Sequence, residues 1–196
     1  MIAENIVLRS DDPRISELLG AGWQVVAQSW GAQLEAGEVD LERLDGLVEH
    51  ARAAGLVREL EPYDRAAILV LDAGTLGDYP GGIATMHTAL DPERATVTES
   101  RRRFGVIGPD GRLVAMTFVD VNATHVETDF TVVSKESRGC GLGTAVKAAS
   151  VIALLREGAE RFRTGGSADN AAIVAANTTL GYTIDETWLT LAPPAA

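Results

Sequence analysis

The chain has one cysteine, Cys140, among 196 residues. A single cysteine excludes an internal disulfide framework and a zinc site made of several thiolates, and no metal is expected. No run approaches the roughly 18 consecutive apolar residues that a membrane helix needs. Residues 1–10 lack a basic segment before a long apolar run, so no secretory signal is expected. These absences together predict a cytoplasmic protein that does not bind membranes.

Basic charge is also scarce, since 17 lysines and arginines stand against 28 aspartates and glutamates and the net charge is −11. This balance argues against a nucleic-acid-binding protein held by phosphate contacts. The acidic excess lies wholly within residues 1–100, and the rest of the chain is neutral. A cationic partner would therefore be attracted to the first half. The alternative is that the acidic excess only keeps the protein soluble.

The second half of the chain has the clearest secondary-structure pattern. Apolar strands at 103–107 and 113–121 flank Gly108-Pro-Asp-Gly111, which is a strong hairpin signal, and a third strand is predicted at 125–133. Three consecutive antiparallel strands form a meander. The predicted elements that follow are a helix at 142–156, a strand at 162–164, a helix at 171–180, and strands at 182–184 and 188–191. This order predicts an α/β (α+β mixed) fold on one mostly antiparallel sheet.

The first half is less regular. The predicted elements are strands at 6–8, 22–30 and 57–61, helices at 41–54 and 62–74, and a loop at 77–93 that contains Tyr79 and is long enough for a binding role. The segment from Leu18 to Trp30 weakly resembles the segment from Thr179 to Trp188. We therefore divide the chain into an N-terminal extension, 1–55, and a main domain, 56–196. The extension is either a remnant copy of the C-terminal elements or a chance similarity.

The most informative segment is the glycine-rich stretch after the third strand, from Arg138 to Thr144. Its glycines leave room for a ligand to approach the backbone closely. The helix that follows directs its free N–H groups and the positive end of its dipole toward this loop. The segment therefore predicts a pyrophosphate-binding site. The alternative is a flexible turn before an ordinary helix.

Two common phosphate-binding motifs do not fit this stretch. A P-loop needs a lysine directly after the last glycine, whereas Thr144 follows Gly143 and Lys147 comes one turn later. A dinucleotide fingerprint needs glycines at the first, third and sixth positions of a parallel βαβ unit. Here the glycines fall at the first, third and fifth positions, after an antiparallel meander.

The pattern Arg138-Gly-Cys-Gly-Leu-Gly143 resembles the acetyl-CoA signature of the GNAT (GCN5-related) N-acetyltransferase superfamily. The later segment from Asn170 to Leu180-Gly-Tyr182 resembles the family's helix beside the cofactor channel. The resemblance covers at least residues 103–191 and implies the GNAT fold, with helices on both faces of its sheet. The pattern Asn177-x-x-Leu-Gly-Tyr182 together with Lys147-Ala148 in the first helix resembles the mycothiol-synthase-like branch of the family. Acetyl-CoA, as acyl donor, is the cofactor that the resemblance implies.

The resemblance also implies roles for individual residues. Backbone N–H groups of the glycine loop would hold the CoA pyrophosphate, the end of the third strand would pair with the pantetheine arm, and two asparagines would bind or line the arm's channel. These residues are Arg138, Gly139, Cys140, Gly141, Leu142, Gly143 and Thr144 for the pyrophosphate, Val132 and Val133 for the arm, and Asn170 and Asn177 for the channel. Alternatively, Asn170 only caps its helix and Asn177 faces solvent. Cys140 replaces the Lys or Arg of many members.

Acyl transfer to an amine needs a base that removes the amine's proton. By alternation along the third strand, His125, Glu127, Asp129, Thr131 and Val133 share one face, and Val126, Thr128, Phe130 and Val132 share the other. Glu127 is the first candidate for the base, Asp129 the second and His125 a distant third. The alternative is that these side chains are simply solvated.

One departure from the family concerns the leaving group. Many members place a tyrosine, as general acid to the CoA thiolate, where this chain has Asn177. We therefore predict an N-acetyltransferase acting on a small, amine-bearing acceptor, with water protonating the thiolate. The acidic first half favours a cationic acceptor. The rival hypotheses are an acyl-CoA-binding sensor without turnover and a domain whose loop is vestigial. Monomer and homodimer are the alternative oligomeric states, and no nucleic acid is expected as a partner.

Overall fold

A computed structural model describes residues 4–78 and 83–194, and Tyr79 therefore lies outside the described residues. The strands are β1 Ile6–Arg9, β2 Gln24–Glu35, β3 Leu56–Glu59, β4 Arg101–Ile107, β5 Leu113–Asn122, β6 His125–Val133, β7 Arg161–Ser167 and β8 Thr183–Ala192. The helices are α1 Arg14–Gly20, α2 Leu41–Ala51, α3 Arg65–Thr75, α4 Leu142–Arg156 and α5 Ala171–Leu180. All eight strands form one sheet in the order β1-β8-β2-β7-β6-β5-β4-β3. The predicted mixed α/β fold is confirmed.

Helices cover both faces of the sheet. On one face, Ile68 and Leu71 of α3 pack with Phe118 and Phe130 of β5 and β6. On the other face, α2, α4 and α5 pack on a cluster that includes Phe162 of β7. Since burying a large apolar side chain stabilises a fold by about 1.5–3 kcal/mol, these two layers stabilise the sheet from both sides. We call them the α3 face and the α4 face.

α4, which follows the glycine loop, and α5 have the boundaries that the sequence predicted. α4 is apolar around most of its circumference and buries nine of its fifteen residues, as expected of a helix between a sheet and other helices. It begins after Gly141, whose φ is +72°, a conformation that glycine adopts without strain. α5 begins with an Asn170 side-chain cap and ends at Gly181, whose φ is +96°.

The prediction of two separate C-terminal strands is wrong. β8 is one continuous strand, Thr183–Ala192, and the polar residues in its middle stay in the sheet. Its pairing with β2 shifts by one residue, from Gly31 opposite Glu186 to Ala32 opposite Ile184. The bulge accommodates Asp185 without ending the strand. β2 also runs to Glu35, beyond the predicted end at residue 30.

The predicted alternation along β6 is also wrong. The pairing with β5 shifts from Phe118 opposite Phe130 to Val119 opposite Thr128, so Asp129 is an extra residue in a β-bulge. Val126 therefore packs in the core of the α4 face, whereas Phe130 packs in the core of the α3 face. A bulge reverses the alternation because two residues of one strand lie opposite one residue of its partner.

The N-terminal and C-terminal segments are arranged similarly around the β2–β8 pair. β1, α1 and β2 form one strand-helix-strand unit, and β7, α5 and β8 form the other. β1 pairs with β8, and β7 pairs with β2, so each unit encloses one strand of the other. Ser29 lies opposite Trp188 and Trp30 opposite Thr187, so the ends of the two weakly similar segments pair with each other. The division at residue 55 and the remnant-copy hypothesis stay predictions.

Candidate functional site

The site lies where two neighbouring parallel strands separate. β6 and β7 pair only from His125 opposite Arg161 to Glu127 opposite Arg163, although both strands continue. Beyond this point their facing edges carry backbone N–H and C=O groups that no strand covers. A cleft of about 970 Å³ occupies the gap. It is lined by α4 and α5 from one face and by the end of α3 and residues 84–88 from the other, so it passes through the sheet.

The glycine loop forms one end of this cleft. Gly139, Gly141, Gly143 and Thr144 line it, and the φ values of Gly139 and Gly141 are +77° and +72°. A Cβ added at either of these two glycines would meet no atom within 4 Å, so the space beside the loop is open. Within residues 4–78 and 83–194, the N–H groups of residues 139–144 find no acceptor, and no side chain caps α4. These donors and this space fit a diphosphate.

The arginine and the cysteine of the loop are arranged differently. The Arg138 side chain donates to Asp78 Oδ2 at 2.7 Å and to the Val133 carbonyl at 3.2 Å, so it links the glycine loop to the segment after α3. Cys140 is exposed, and its Sγ lies 3.8 Å from the Arg138 carbonyl oxygen. Cys140 does not line the cleft, unlike Gly139 and Gly141 on either side of it.

The predicted pantetheine segment runs along the cleft with its two valines on opposite faces. Val132 is buried in the core of the α3 face, and Val133 packs against the cluster that contains Leu142 on the α4 face. A Cβ on Gly143 would lie 3.4 Å from the Val133 side chain, so the glycine lets the first turn of α4 approach β6 closely. Both valines and Leu142 line the cleft.

The two predicted asparagines lie in different environments. Asn170 lines the cleft and also caps α5, since its Oδ1 accepts from the Ile173 N–H at 3.2 Å. Asn177 is 3% exposed and does not line the cleft. Its Nδ2 donates to the Ile173 carbonyl at 2.9 Å, and its Oδ1 is buried without a hydrogen-bond partner in the described part of the chain. The structure thus brings only Asn170 to the predicted site.

The candidate bases are separated by their contacts. Asp129 accepts from Arg101 Nη2 at 2.6 Å, and Arg101 also binds Asp120, so Asp129 belongs to an ion-pair cluster. Glu127 lines the cleft, and its carboxylate forms no ion pair with another described residue. Since Val126 packs on the α4 face, Glu127 points toward the α3 face. His125 is exposed at the start of β6 and does not line the cleft.

A buried histidine–aspartate pair lies on the same side as Glu127. His87 Nε2 and Asp72 Oδ1 are 2.6 Å apart, and the two side chains are 4% and 2% exposed. Asp72 Oδ2 also accepts from the Leu90 N–H at 2.8 Å, and the His87 ring lies 4.2 Å from that of Phe130. His87 lines the cleft. Sequence analysis missed this pair, because a histidine in an irregular loop and an aspartate on the preceding helix carry no shared pattern.

Lys147 is another cleft residue that sequence analysis did not place in the site. Its side chain is fully buried on α4, and its Nζ donates to Thr164 Oγ1 at 2.8 Å. The ammonium lies 5.3 Å from the centre of the Tyr182 ring. Burial lowers the pKa of Lys147 to about 7, since the charged form is poorly solvated there. In the sequence, Lys147 is one polar residue within the largely apolar helix α4, and nothing in that pattern marks it as functional. Only its burial in the folded protein does so.

The burial of Lys147 predicts a pH-dependent cost to stability. A lysine whose folded-state pKa is lowered destabilises the fold fully below that pKa, and the cost disappears as pH rises toward the unfolded-state value near 10.5. We expect Lys147→Met to raise the melting temperature more at pH 6 than at pH 9.5, measured by thermal unfolding. Equal gains at both pH values would contradict the lowered pKa. Lys135→Met, at an exposed lysine, is the control.

Comparison with solved structures identifies the fold. A GCN5-related N-acetyltransferase-like protein from Streptococcus suis superposes with a TM-score of 0.66 at 18% identity, over 95% of this chain and 70% of that one. A protein from Novosphingobium aromaticivorans, described as a GNAT-family acetyltransferase, gives 0.55 at 19% identity over 100% and 77%. A tandem GNAT protein from the clavulanic acid biosynthesis pathway gives 0.61 at 19% over 98% and 65%. The chain has the GNAT fold.

Sequence comparisons identify no relative of this chain. No protein-family model matches the chain, and no curated protein matches it. At 18–19% identity the solved structures establish the fold alone. Within residues 4–78 and 83–194, no helix is long and apolar enough to cross a bilayer, and no group of three or more potential ligands could hold a metal ion. The mycothiol-synthase-like branch stays a prediction.

Proposed function

We propose that this protein is an N-acetyltransferase that moves the acetyl group of acetyl-CoA directly to a small amine. The observation that carries the proposal is the cleft between β6 and β7, which begins at unused backbone donors of the glycine loop and passes through the sheet. Such a passage lets a long thioester enter from one end while an acceptor approaches from the α3 face. The GNAT fold of the structural neighbours supports the same arrangement.

Backbone groups of the chain bind acetyl-CoA in this proposal, and one side chain transfers a proton. The N–H groups of residues 139–144 hold the diphosphate, and the uncovered edge of β6 up to Val133 holds the arm. When bound, acetyl-CoA supplies an activated acyl carbon. Glu127 takes the proton that the amine loses on attack, because it is the cleft carboxylate on the α3 face without an ion pair among the described residues.

The charges on the acceptor side favour a cationic acceptor. Arg163, which lines the cleft beside Glu127, is held by Asp185 at 2.6 Å and by Glu186 at 3.2 Å. Arg101 is held by Asp120 and Asp129. Both of these arginines are thus paired with carboxylates, whereas Glu127 has no ion pair among the described residues. Arg94, which also lines the cleft, donates to the Thr88 and Ala89 carbonyls. A small molecule with one amine to acylate and a second positive group would complement this surface.

The rival proposal is an acyl-CoA sensor without turnover. It is favoured by Asn177, which stands in place of the family's acidic tyrosine and lies away from the cleft. Calorimetric titration with acetyl-CoA, followed by a thiol-release assay against a panel of mono- and diamines, separates the possibilities. Binding with amine-dependent thiol release supports the enzyme, and binding without it supports the sensor. No heat at millimolar acetyl-CoA contradicts both.

A further inference from the structure

Lys147 is a buried amine that is not matched by a buried acid. Its nearest groups are the Thr164 hydroxyl on β7 and the ring of Tyr182, which precedes β8. On α4 itself, Ser150 donates to the Lys147 carbonyl at 2.8 Å. Burial raises the pKa of Tyr182, so this phenol stays neutral beside the lysine. Among the described residues no carboxylate lies within ion-pair distance of Nζ. A fully buried lysine without such a partner is rare and costly.

The position of Lys147 relates it to one end of the cleft. Thr164, which its Nζ contacts, directly follows Arg163, the last residue of β7 that pairs with β6. Lys147 therefore lies where the two strands separate. The opposite end is the glycine loop beside Val133. β6 spans about 13 Å from Val133 back to Thr128, because their partners on β5 are four residues apart at roughly 3.3 Å per residue. A chain held by its diphosphate at the loop and extended along β6 would bring its far end to Lys147.

The acidity of the Lys147 ammonium suits the sulfur at the far end of the bound thioester. The sulfur of a thioester leaves as a thiolate, and an ordinary thiol has a pKa of about 8.5. Lys147, with its pKa lowered to about 7, is the stronger acid, so transfer of its proton to the sulfur is downhill. The family's tyrosine position cannot supply this proton, since Asn177 occupies it and does not line the cleft.

We propose that Lys147 is the proton donor to the departing CoA thiolate, which rests on the acetyl-CoA-dependent function proposed above. The acceptor nitrogen forms a bond to the acyl carbon and gives its proton to Glu127. The bond from the acyl carbon to sulfur breaks, and the sulfur takes a proton from the Lys147 ammonium. Lys147 then regains a proton from water and Glu127 releases one, so the cycle consumes neither an oxidant nor a reductant.

Bound CoA itself, rather than turnover, provides the direct test. Calorimetry at pH 6, where Lys147 still carries its proton, compares the affinity for CoA with that for desulfo-CoA, which lacks the sulfur. We expect the wild type to bind CoA about tenfold more tightly than desulfo-CoA, because the Lys147 ammonium donates to the sulfur, and Lys147→Met and Lys147→Gln to lose this preference. Lys135→Met, at an exposed lysine outside the cleft, should match the wild type.

The outcomes separate this inference from the function on which it rests. Desulfo-CoA should bind the wild type and both Lys147 variants equally, which shows that the variants are folded. An equal preference for CoA over desulfo-CoA in all proteins would overturn the role of Lys147 and leave the function intact. If neither CoA nor desulfo-CoA binds the wild type, the proposed function fails, and the inference with it. In the amine assay, the decline of kcat above pH 7 should disappear in the Lys147 variants, whereas a structural role would leave the profile's shape unchanged.

Discussion

Replacing Glu127 with glutamine is expected to slow acetyl transfer by about 10²- to 10⁴-fold, the usual contribution of a general base. The amide keeps the shape of the side chain and cannot accept the proton of the attacking amine. Glu127 lines the cleft on the α3 face, away from the glycine loop, so the affinity for acetyl-CoA should stay unchanged. The measurements are kcat from thiol release with an active amine and the dissociation constant of acetyl-CoA from calorimetry.

Three further variants determine whether the loss belongs to Glu127. Glu42→Gln, on the exposed side of α2, should leave kcat unchanged. Asp129→Asn should have a smaller effect than Glu127→Gln, because Asp129 already binds Arg101. If His87→Gln abolishes transfer while Glu127→Gln stays within threefold of the wild type, the His87–Asp72 pair is the base and the assignment to Glu127 is wrong.

A charge placed in the glycine loop should remove cofactor binding. In Gly141→Asp the new carboxylate would lie beside the bound diphosphate, and two like charges about 6 Å apart repel by about 3 kcal/mol at an effective dielectric constant of 20. We expect the affinity for acetyl-CoA to fall by about 100-fold, since about 1.4 kcal/mol corresponds to a tenfold change. Calorimetric titration with acetyl-CoA measures this loss.

The other end of the same helix offers a matched control. Gly158 has a φ of +96°, and an added Cβ there would meet no atom within 4 Å, as at Gly141. Gly158→Asp therefore imposes a similar backbone strain, and the helix dipole makes it the less favourable position for a negative charge. It should lower the melting temperature at least as much as Gly141→Asp and leave acetyl-CoA affinity unchanged. Equal affinity losses in both variants would indicate that Gly141 acts through stability rather than through contact with the diphosphate.

Local signals predicted the elements that hold the proposed donor site. Gly141 and Gly181 define ends of α4 and α5 through backbone conformations that glycine adopts readily, and the apolar composition of α4 predicts its burial. The boundaries of both helices could therefore be predicted from neighbouring residues. The hairpin between β4 and β5 was predicted in the same way, from Gly108 and Gly111 between two apolar runs.

Local sequence patterns gave wrong predictions for β6 and β8, where pairing with another strand determines the local structure. The residue at which β6 bulges depends on its register with β5, and strict alternation therefore placed Phe130 and Val126 on the same face. Asp185 and its polar neighbours suggested a break, but pairing with β2 keeps β8 continuous. The residues of β6 alone do not reveal its register with β5, and the residues of β8 alone do not reveal its register with β2.

The amino-acid sequence alone determined that a glycine loop precedes a buried helix and that the fold contains a mixed sheet. Both follow from short segments, because glycine conformations and periodic apolar patterns are local properties. Tertiary structure decided which carboxylate is left without an ion pair, that His87 meets Asp72, and that Lys147 lies under the point where β6 and β7 separate. Those contacts join residues far apart in the chain, and the desolvation that changes the acidity of an amine exists only once the surrounding elements have packed.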